Sequence, residues 1–374
     1  MQTQAQPNGQ TIVIKLGTSV LTNNGQGLDR AHMVELVRQC VHLQKAGNHI
    51  VLVSSGAVAA GRELLGRTPS NETLAQKQML AAIGQSQLLH TWQSLFALYG
   101  VPVGQMLLTR ADLDDRERYL NARDTLLALL KEGAIPIINE NDAVATAQIK
   151  VGDNDNLSAR VAVLADADKL LLLTDQPGLF SADPRSNPDA ELIPEIRHID
   201  ESVKALAGGS GTAVGTGGMA TKIEAASIAR HAGVDVVISA GHGEDVIINC
   251  LEQQLGTRFV SLTAPKNTHK RWLLAGPLSK AQVHVDAGAA NAIRNHGASL
   301  LIVGITSFAG EFRRGELVHV LDSHGESVGK GVARYHSDEL ALLLARPAEP
   351  KETVLGYDNG AMLIHRDDFV SFLD

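Results

Sequence analysis

Five short polar segments are the places where the sequence could carry chemistry, and four of them follow an apolar run. The run TIVIKL contains Lys15 and ends in GTS, and the run VLV leads into SSG around Ser55. Glycine lets the backbone approach an anion, and neighbouring amides and hydroxyls can hold a phosphate. The Gly-x-x-x-x-Gly-Lys spacing of a Walker loop is missing. Both segments favour anion contacts of another kind, although Ser and Gly also cap ordinary helices and a lysine at a strand end can reach solvent.

The densest polar region lies between residues 139 and 156, where INENDAV is followed by IKVGDNDNLSA. It holds eight side chains with amide or carboxylate groups: Asn139, Glu140, Asn141, Asp142, Asp153, Asn154, Asp155 and Asn156. Such a set suits the recognition of an amine and a carboxylate, or the ordering of cations. Solvated turns and helix caps are the alternative interpretation. The density of the set favours a binding site.

Two further segments fit a nucleotide. The apolar run LLLLTD ends in Thr174 and Asp175, and the glycine-rich stretch GTGGMATK leads into a helix that carries Lys222. Unpaired N–H groups at the start of such a helix can bind phosphate. The sequence has no HExxH pattern or tight His/Cys cluster, no GxSxG elbow, and no GxGxxG after the first strand. It therefore predicts no protein-built metal site, no serine hydrolase and no dinucleotide site.

The elements that must position these segments alternate between strand-like and helix-like patterns. Six compact Val, Ile and Leu runs predict strands: TIVIKL, HIVLVSS, VPVGQML, AIPIINE, DKLLLLTD and VDVVISA. Helical patterns lie between them, for example over residues 30–46, 73–99 and 116–132. The alternation predicts an α/β fold whose mainly parallel sheet is sandwiched by helices. Ligands of such sheets bind beyond the carboxyl ends of the strands, which is where the polar segments fall.

Length and composition bound the organisation of the chain. Its 374 residues suggest two domains, and 44% hydrophobic residues with only 3% aromatics suit an aliphatic core. A polar stretch after Leu262 predicts a linker, and short turn-punctuated runs beyond it predict a small β-rich domain with one or two short helices. The predicted boundaries are 1–262, 263–279 and 280–374. Two distant cysteines, Cys40 and Cys250, predict reduced thiols. With no signal peptide and no apolar span of ~20 residues, we expect a cytoplasmic protein without membrane contact.

Taken together, the motifs resemble the glutamate 5-kinases of the amino-acid kinase family. The resemblance lies in the order and spacing of VIKLGTSV, SSGAVAAG, KQMLAAIGQSQL, INENDAVA, VGDNDNLSA, LLTDQPGLFSADPR and GTGGMATK. The stretch GASLLIVGITSFAGEFRRGELVHV is similar to a PUA domain. Nearly the whole chain is covered. The resemblance implies an amino-acid kinase fold with a PUA-like tail, and transfer of a phosphoryl group from ATP, with Mg²⁺, to the side-chain carboxylate of L-glutamate. This is the first step of proline biosynthesis.

The same resemblance implies roles for individual residues. Lys15 and Lys222 would contact the transferred phosphoryl group, and Asp155 would orient both lysines. Glutamate would be bound by three residues: Ser55, Asp142 and Asn154. The nucleotide would lie against Lys15 and two segments, which comprise Thr174, Asp175, Thr216, Gly217, Gly218, Met219, Ala220, Thr221 and Lys222.

The resemblance also implies partners and leaves alternatives open. Proline is the implied feedback inhibitor, a glutamyl phosphate reductase the implied receiver of the product, and a homo-oligomer the implied assembly. The nearest alternative is another kinase of the family, such as acetylglutamate kinase, aspartokinase or uridylate kinase. An RNA-binding protein is the alternative from a different class, because PUA domains often bind RNA. Residues 275–374 carry nine Lys and Arg against thirteen Asp and Glu, and the whole chain has a net charge of -8. Both balances disfavour binding to a phosphate backbone.

Overall fold

The chain folds into two compact units, Met1–Thr263 and Ala264–Asp374. The computed structural model describes residues 9–23, 25, 27–144, 154–184, 186–206, 218–252, 255–262, 273, 280–358 and 360–372. The predicted linker at 263–279 lies outside these residues except for Leu273. Among the described helices, none combines the length and the apolar character needed to cross a membrane.

The first unit is a sheet flanked by helices. Its described strands are β1 (Thr11–Leu16), β2 (His49–Ser54), β3 (Val103–Leu108), β4 (Ile135–Glu140), β5 (Lys169–Thr174), β6 (Glu195–Ile196), β7 (Asp235–Ala240) and β8 (Thr257–Phe259). Its described helices are α1 (Thr18–Leu21), α2 (Arg30–Lys45), α3 (Ala57–Leu64), α4 (Leu74–Ala97), α5 (Arg110–Asp114), α6 (Arg116–Lys131), α7 (Asn154–Leu164), α8 (Glu201–Leu206), α9 (Met219–His231) and α10 (Val246–Leu251).

The sheet runs in the order β3-β4-β2-β1-β5-β7-β8-β6. Neighbouring strands from β3 to β7 are parallel, and only the pairing of β7 with β8 is antiparallel. Strands buried on both faces need apolar side chains in succession, which explains the uninterrupted apolar runs. The predicted α/β fold is confirmed, and each of the six predicted strands is present within two residues. The sequence does not predict β6 and β8, because two or three residues carry too little periodicity.

Capping side chains explain where two of the long helices begin. The Asp29 carboxylate accepts a hydrogen bond from the backbone N–H of His32 at 3.0 Å, at the start of α2. Thr73 and Gln76 form a reciprocal capping box at the start of α4. Each cap satisfies backbone donors that have no partner inside the helix.

Helices α3 and α4 touch at two glycines. A Cβ atom on Gly84 would lie 1.8 Å from the carbonyl oxygen of Ala57, and one on Gly61 would lie 2.0 Å from that of Leu80. Only glycine leaves room for such a contact, so the two helices pack backbone against backbone. The next residue on α4, Gln85, is thereby held beside the end of β4.

The second unit is rich in strands, as predicted. Its strands are β9 (Gln282–Val285), β10 (Leu300–Leu301), β11 (Ile305–Ala309), β12 (Leu317–Leu321), β13 (Ser327–Val332), β14 (Met362–Ile364) and β15 (Phe369–Ser371). Five of them form a sheet in the order β11-β9-β12-β13-β15, and β10 pairs with β14. The unit contains more helix than the one or two short helices expected: α11 (Ala287–His296), α12 (Ser337–Ala345) and α13 (Lys351–Leu355). The end caps of α11 explain part of the difference, because Asp286 caps its start and Gly297 ends it in a left-handed conformation.

Candidate functional site

The polar segments of the first unit meet at the carboxyl edge of its sheet. Strands β4, β2, β1, β5 and β7 are consecutive neighbours, and all five are parallel. The loops that follow them therefore emerge at the same edge. The backbone N–H of Gly17 donates to the carbonyl of Leu173 at 3.2 Å, and that of Gly241 donates to Thr174 at 2.7 Å. These bonds tie the loops after β1, β5 and β7 together.

A buried carboxylate between two lysines forms the centre of the edge. Lys15 Nζ lies 2.7 Å from Asp155 Oδ1, and Lys222 Nζ lies 3.1 Å from Asp155 Oδ2. Both contacts are ion pairs, and Lys222 also donates a hydrogen bond to Asp155. Lys15 comes from β1, Asp155 from the first turn of α7 and Lys222 from the first turn of α9. Three separate elements thus bring two cations onto one anion.

Burial leaves little water to solvate the three charged groups of this cluster. The three side chains are 8%, 2% and 5% exposed. Burial alone would raise the pKa of Asp155, but the charges of Lys15 and Lys222 and a hydrogen bond from Thr221 hold that pKa well below its usual range. Burial lowers the pKa of Lys222, an effect that Asp155 opposes and Lys15 reinforces. The carboxylate is therefore ionised at neutral pH.

The start of α9 lies next to this cluster. Gly218 precedes the helix in an extended conformation, no side chain among the described residues caps the helix, and a Cβ at Gly218 would meet nothing within 4 Å. Thr221 Oγ1 lies 2.8 Å from both Asp155 Oδ2 and the Gly218 carbonyl, so its single proton serves one of them at a time. The arrangement is suited to an anion. Two residues predicted for this segment, Thr216 and Gly217, lie outside the described residues.

The end of β5 lies beside the lysine cluster. Thr174 is buried and its hydroxyl donates to Asp175 Oδ1 at 2.9 Å, while Asp175 is exposed. Because β5 is the direct neighbour of β1, these two residues lie one strand away from Lys15. The structure therefore brings together Lys15, Asp155, Lys222 and the Thr174 segment.

A chain of side-chain amides lies on the other side of Asp155. The amide nitrogen of Asn154 is 2.9 Å from Ser55 Oγ, 3.0 Å from Asn139 Oδ1 and 3.3 Å from the Ser54 carbonyl. The amide nitrogen of Asn139 donates in turn to Gln85 Oε1 at 2.8 Å. We call Asn154, Asn139 and Gln85 the amide chain. It connects the end of β2 with α7, β4 and α4.

Asp142 lies near the far end of the amide chain, in the loop after β4. Its Oδ1 atom is buried and has no hydrogen-bond partner among the residues that the structure describes. Burial raises the pKa of Asp142 to about 6. Asp142, Glu140 and Gln85 line a cavity of about 390 Å³ together with His90 and other residues of α4 and β3. A carboxylate kept in such a place is suited to a cationic ligand.

The sequence predicts most of these residues but gives no individual role to Gln85 or Asn139. Thr221 is predicted to bind the nucleotide, and its contact with Asp155 is not predicted. The sequence feature that could have pointed to Gln85 is its position directly after Gly84 in the motif KQMLAAIGQSQL. Asp153 lies outside the described residues. Within the described part of the chain, no three His, Cys, Asp or Glu side chains are grouped as they would be to hold a metal ion.

Comparison with known proteins adds the following matches. The model of the Amino acid kinase family matches residues 10–239, and that of the PUA domain matches residues 281–349. The chain is 60% identical to "Glutamate 5-kinase 2" of Pseudoalteromonas translucida and 59% identical to "Glutamate 5-kinase" of Aliivibrio salmonicida, over 96% of this chain and 98% of each relative. It is 57% identical to "Glutamate 5-kinase" of Photobacterium profundum, over 98% of this chain and 97% of that relative. Among solved structures, carbamate kinase from Giardia lamblia bound to AMP-PNP aligns at 19% identity with a TM-score of 0.48, over 68% of this chain and 99% of that one.

Proposed function

The chain belongs to the amino acid kinase family, and we propose that it transfers the terminal phosphoryl group of ATP to the side-chain carboxylate of L-glutamate. The product is L-glutamyl 5-phosphate, so the reaction begins proline synthesis. Relatives 56–60% identical over nearly the whole chain bear the name glutamate 5-kinase, which supports this substrate. The observation within the site that carries the proposal is the pair of lysines held by Asp155 at the carboxyl edge of the sheet.

The acceptor group explains why the site contains lysines rather than a general base. A glutamate side chain has a pKa of about 4.3, so the attacking carboxylate is already ionised at neutral pH. The difficulty is to bring this anion to an ATP phosphate and to stabilise the charge that spreads over the transferred group. Two ammonium groups fixed before the reaction do this without reorganising.

In this proposal Lys15 and Lys222 contact the transferred phosphoryl group from two sides. Asp155 orients both ammonium groups, and its low pKa keeps it a hydrogen-bond acceptor throughout the physiological pH range. The hydroxyl of Thr221 helps to fix the carboxylate, at 2.8 Å from Oδ2. Asp155 acts through the two lysines and is therefore a positioning residue.

The nucleotide lies, in this proposal, along Thr174, Asp175 and the segment 216–222. The start of α9 supports the phosphate position, because no side chain in the described part of the chain caps its first backbone N–H groups. Mg²⁺ enters with ATP as the MgATP substrate and neutralises charge on the phosphates.

Glutamate lies on the amide-chain side of Asp155. Ser55, Asn154 and Asp142 are the proposed contacts, and two of them carry buried acceptor atoms, Asn154 Oδ1 and Asp142 Oδ1, that have no partner among the described residues. An α-ammonium group would satisfy the acceptor on Asp142. The substrate would then extend from Asp142 towards the lysines, with its side-chain carboxylate at the lysine end.

The proposed reaction also implies a partner enzyme and an inhibitor. An acyl phosphate is labile, so a glutamyl phosphate reductase is the proposed consumer, and proline is the proposed feedback inhibitor. We also propose a homo-oligomer in the cytoplasm, without a nucleic-acid partner. The acidic balance of residues 275–374 supports the last point.

The test is to measure ADP release with MgATP and one acceptor at a time: glutamate, acetylglutamate, aspartate or UMP. Hydroxylamine is included to trap acyl phosphates as hydroxamates. We expect turnover and hydroxamate with glutamate only. Turnover with a different acceptor alone would overturn the substrate, and ADP release from glutamate without hydroxamate would overturn the carboxylate as acceptor.

A further inference from the structure

The hydrogen bonds of the amide chain run in one direction only. The Ser54 carbonyl can only accept, so the side of Asn154 that faces it must be the donating nitrogen. The backbone N–H of Glu140 can only donate, so the side of Asn139 that it reaches, at 2.9 Å, must be the oxygen. Asn139 therefore presents its nitrogen to Gln85, and Gln85 must receive it with its oxygen. Two fixed backbone groups thus determine the orientation of all three amides.

This direction leaves a hydrogen-bond donor at one end of the chain and an acceptor at the other. Gln85 Nε2 is buried and has no partner in the described part of the chain, and the same holds for Asn154 Oδ1. Burying an amide group without a partner costs free energy, because its hydrogen bonds to water are lost and no other hydrogen bond replaces them. Gln85 also lines the cavity that contains Asp142. A ligand in this place would be required to accept from Gln85 and to donate to Asp142.

We infer that Gln85 is a specificity-determining residue whose Nε2 donates a hydrogen bond to the α-carboxylate of the amino-acid substrate. The inference rests on the proposed function and extends it. An α-amino acid carries an anion and a cation on one carbon atom, which matches a donor amide and an acceptor carboxylate lining one cavity. Gln85 recognises the carboxylate and Asp142 the ammonium group.

The α-carboxylate is the group concerned, and not the reacting one, because of the order of residues along the amide chain. Asn154 directly precedes Asp155, which contacts both lysines. Gln85 is separated from Asn154 by the whole of Asn139. The carboxylate that is phosphorylated must lie at the lysine end, so the carboxylate at Gln85 is the other one.

Two analogues of glutamate separate the two contacts. 4-Aminobutyrate lacks the α-carboxylate, and glutarate lacks the α-amino group. The kcat/KM of each is compared with that of glutamate, by hydroxamate formation at pH 8, for the wild type and for Gln85→Ala, Gln85→Glu and Asp142→Asn. We expect Gln85→Ala to lower the preference for glutamate over 4-aminobutyrate by about 10- to 100-fold, as for one hydrogen bond to a charged group. The preference of Gln85→Ala for glutamate over glutarate should change less than threefold. Asp142→Asn should instead lose preference for glutamate over glutarate and keep its preference over 4-aminobutyrate.

Gln85→Glu distinguishes a substrate contact from a merely supporting role. A glutamate at 85 keeps the oxygen that accepts from Asn139, but it replaces the donor with a second acceptor that repels a carboxylate. If Gln85 contacts the α-carboxylate, Gln85→Glu should impair glutamate more than Gln85→Ala does, and impair 4-aminobutyrate less than it impairs glutamate. The KM for ATP should stay within twofold in both variants.

Two results would overturn the inference. In the first, Gln85→Glu retains wild-type kinetics, which would mean that the residue only supports Asn139. In the second, Gln85→Ala lowers kcat/KM equally for glutamate and for both analogues. Failure of the proposed function is a separate outcome, because the wild-type protein would then produce no hydroxamate from glutamate at all.

Discussion

Replacing Asp155 with asparagine would remove the anion that holds two buried cations together. The substitution keeps the shape of the side chain and one oxygen for Thr221. At an effective dielectric constant of about 20, unit charges at the observed separations of 2.7 and 3.1 Å attract by about 6 and about 5 kcal/mol. Desolvation of the three charges offsets much of this attraction. Removal of one partner from a buried ion pair costs about 3–5 kcal/mol, and we expect Asp155→Asn to lower the free energy of unfolding by that amount.

Urea denaturation is the appropriate assay for this loss. Trp92 is buried in the first unit, so its fluorescence, in a Trp272→Phe background, reports on the unit that contains Asp155. Because the folded-state pKa of Asp155 is lowered, its contribution is complete above its unfolded-state pKa of about 3.9 and is lost as the pH falls through the folded-state pKa. The difference between the variant and the wild type should therefore not shrink as the pH falls from 8 to 5, because Asp155 stays ionised throughout this range.

A second variant separates charge repulsion from general misfolding. Lys15→Met combined with Asp155→Asn leaves a single buried cation, so it should be more stable than Asp155→Asn alone. Turnover should nevertheless stay at least about 100-fold below the wild type in both variants, since the preorganised charge is lost. If Asp155→Asn unfolds within about 1 kcal/mol of the wild type, or if the double variant is the less stable of the two, the electrostatic reasoning is refuted.

Four further predictions concern Lys222, Asp142 and Gly84. Lys222→Ala should abolish turnover while circular dichroism and the thermal midpoint show an intact fold, and near-normal turnover would exclude contact with the phosphoryl group. Asp142→Ala should raise the KM for glutamate more than that for ATP, and an equal effect on both would reassign the residue. In the wild type the KM for glutamate should rise as the pH falls from 7 to 5, because Asp142 protonates with a pKa of about 6, and Asp142→Asn should abolish this rise. Gly84→Ala should lower the free energy of unfolding by about 1–3 kcal/mol or more in urea denaturation, because its Cβ would overlap the Ala57 carbonyl. Gly288→Ala, on a helix where the nearest such contact is a side-chain oxygen at 3.3 Å, should cost less.

The fold could be predicted from the sequence because its buried parallel strands are continuous apolar runs. Strand β1 shows both the strength and the limit of this signal. Its burial follows from TIVIKL, but nothing in the spacing of residues indicates that Lys15 meets Lys222 on Asp155, since the three lie far apart in the chain. That assignment came from the resemblance to a family. The structure now supplies the distances.

Gln85 illustrates what periodicity could not reveal. A glutamine on a helix has the same spacing whether its amide faces water or a buried neighbour. Its orientation depends on Asn139 and Asn154, which are supplied by two other elements, and ultimately on the Ser54 carbonyl. The charge of the second unit follows from its composition alone. Its third helix was not predicted, because turn-rich segments carry weak periodicity.

The backbone contact between α3 and α4 has a consequence for anyone who seeks to engineer the acceptor range of this protein. Gly84 is the neighbour of Gln85, and a methyl group on Gly84 could be accommodated only if α4 moved away from α3. Such a movement would carry the Gln85 amide with it and weaken its bond to Asn139. A library restricted to cavity-lining positions would overlook this route. Substitution at Gly84 would therefore alter the pocket by moving α4 and not by changing a cavity-lining side chain.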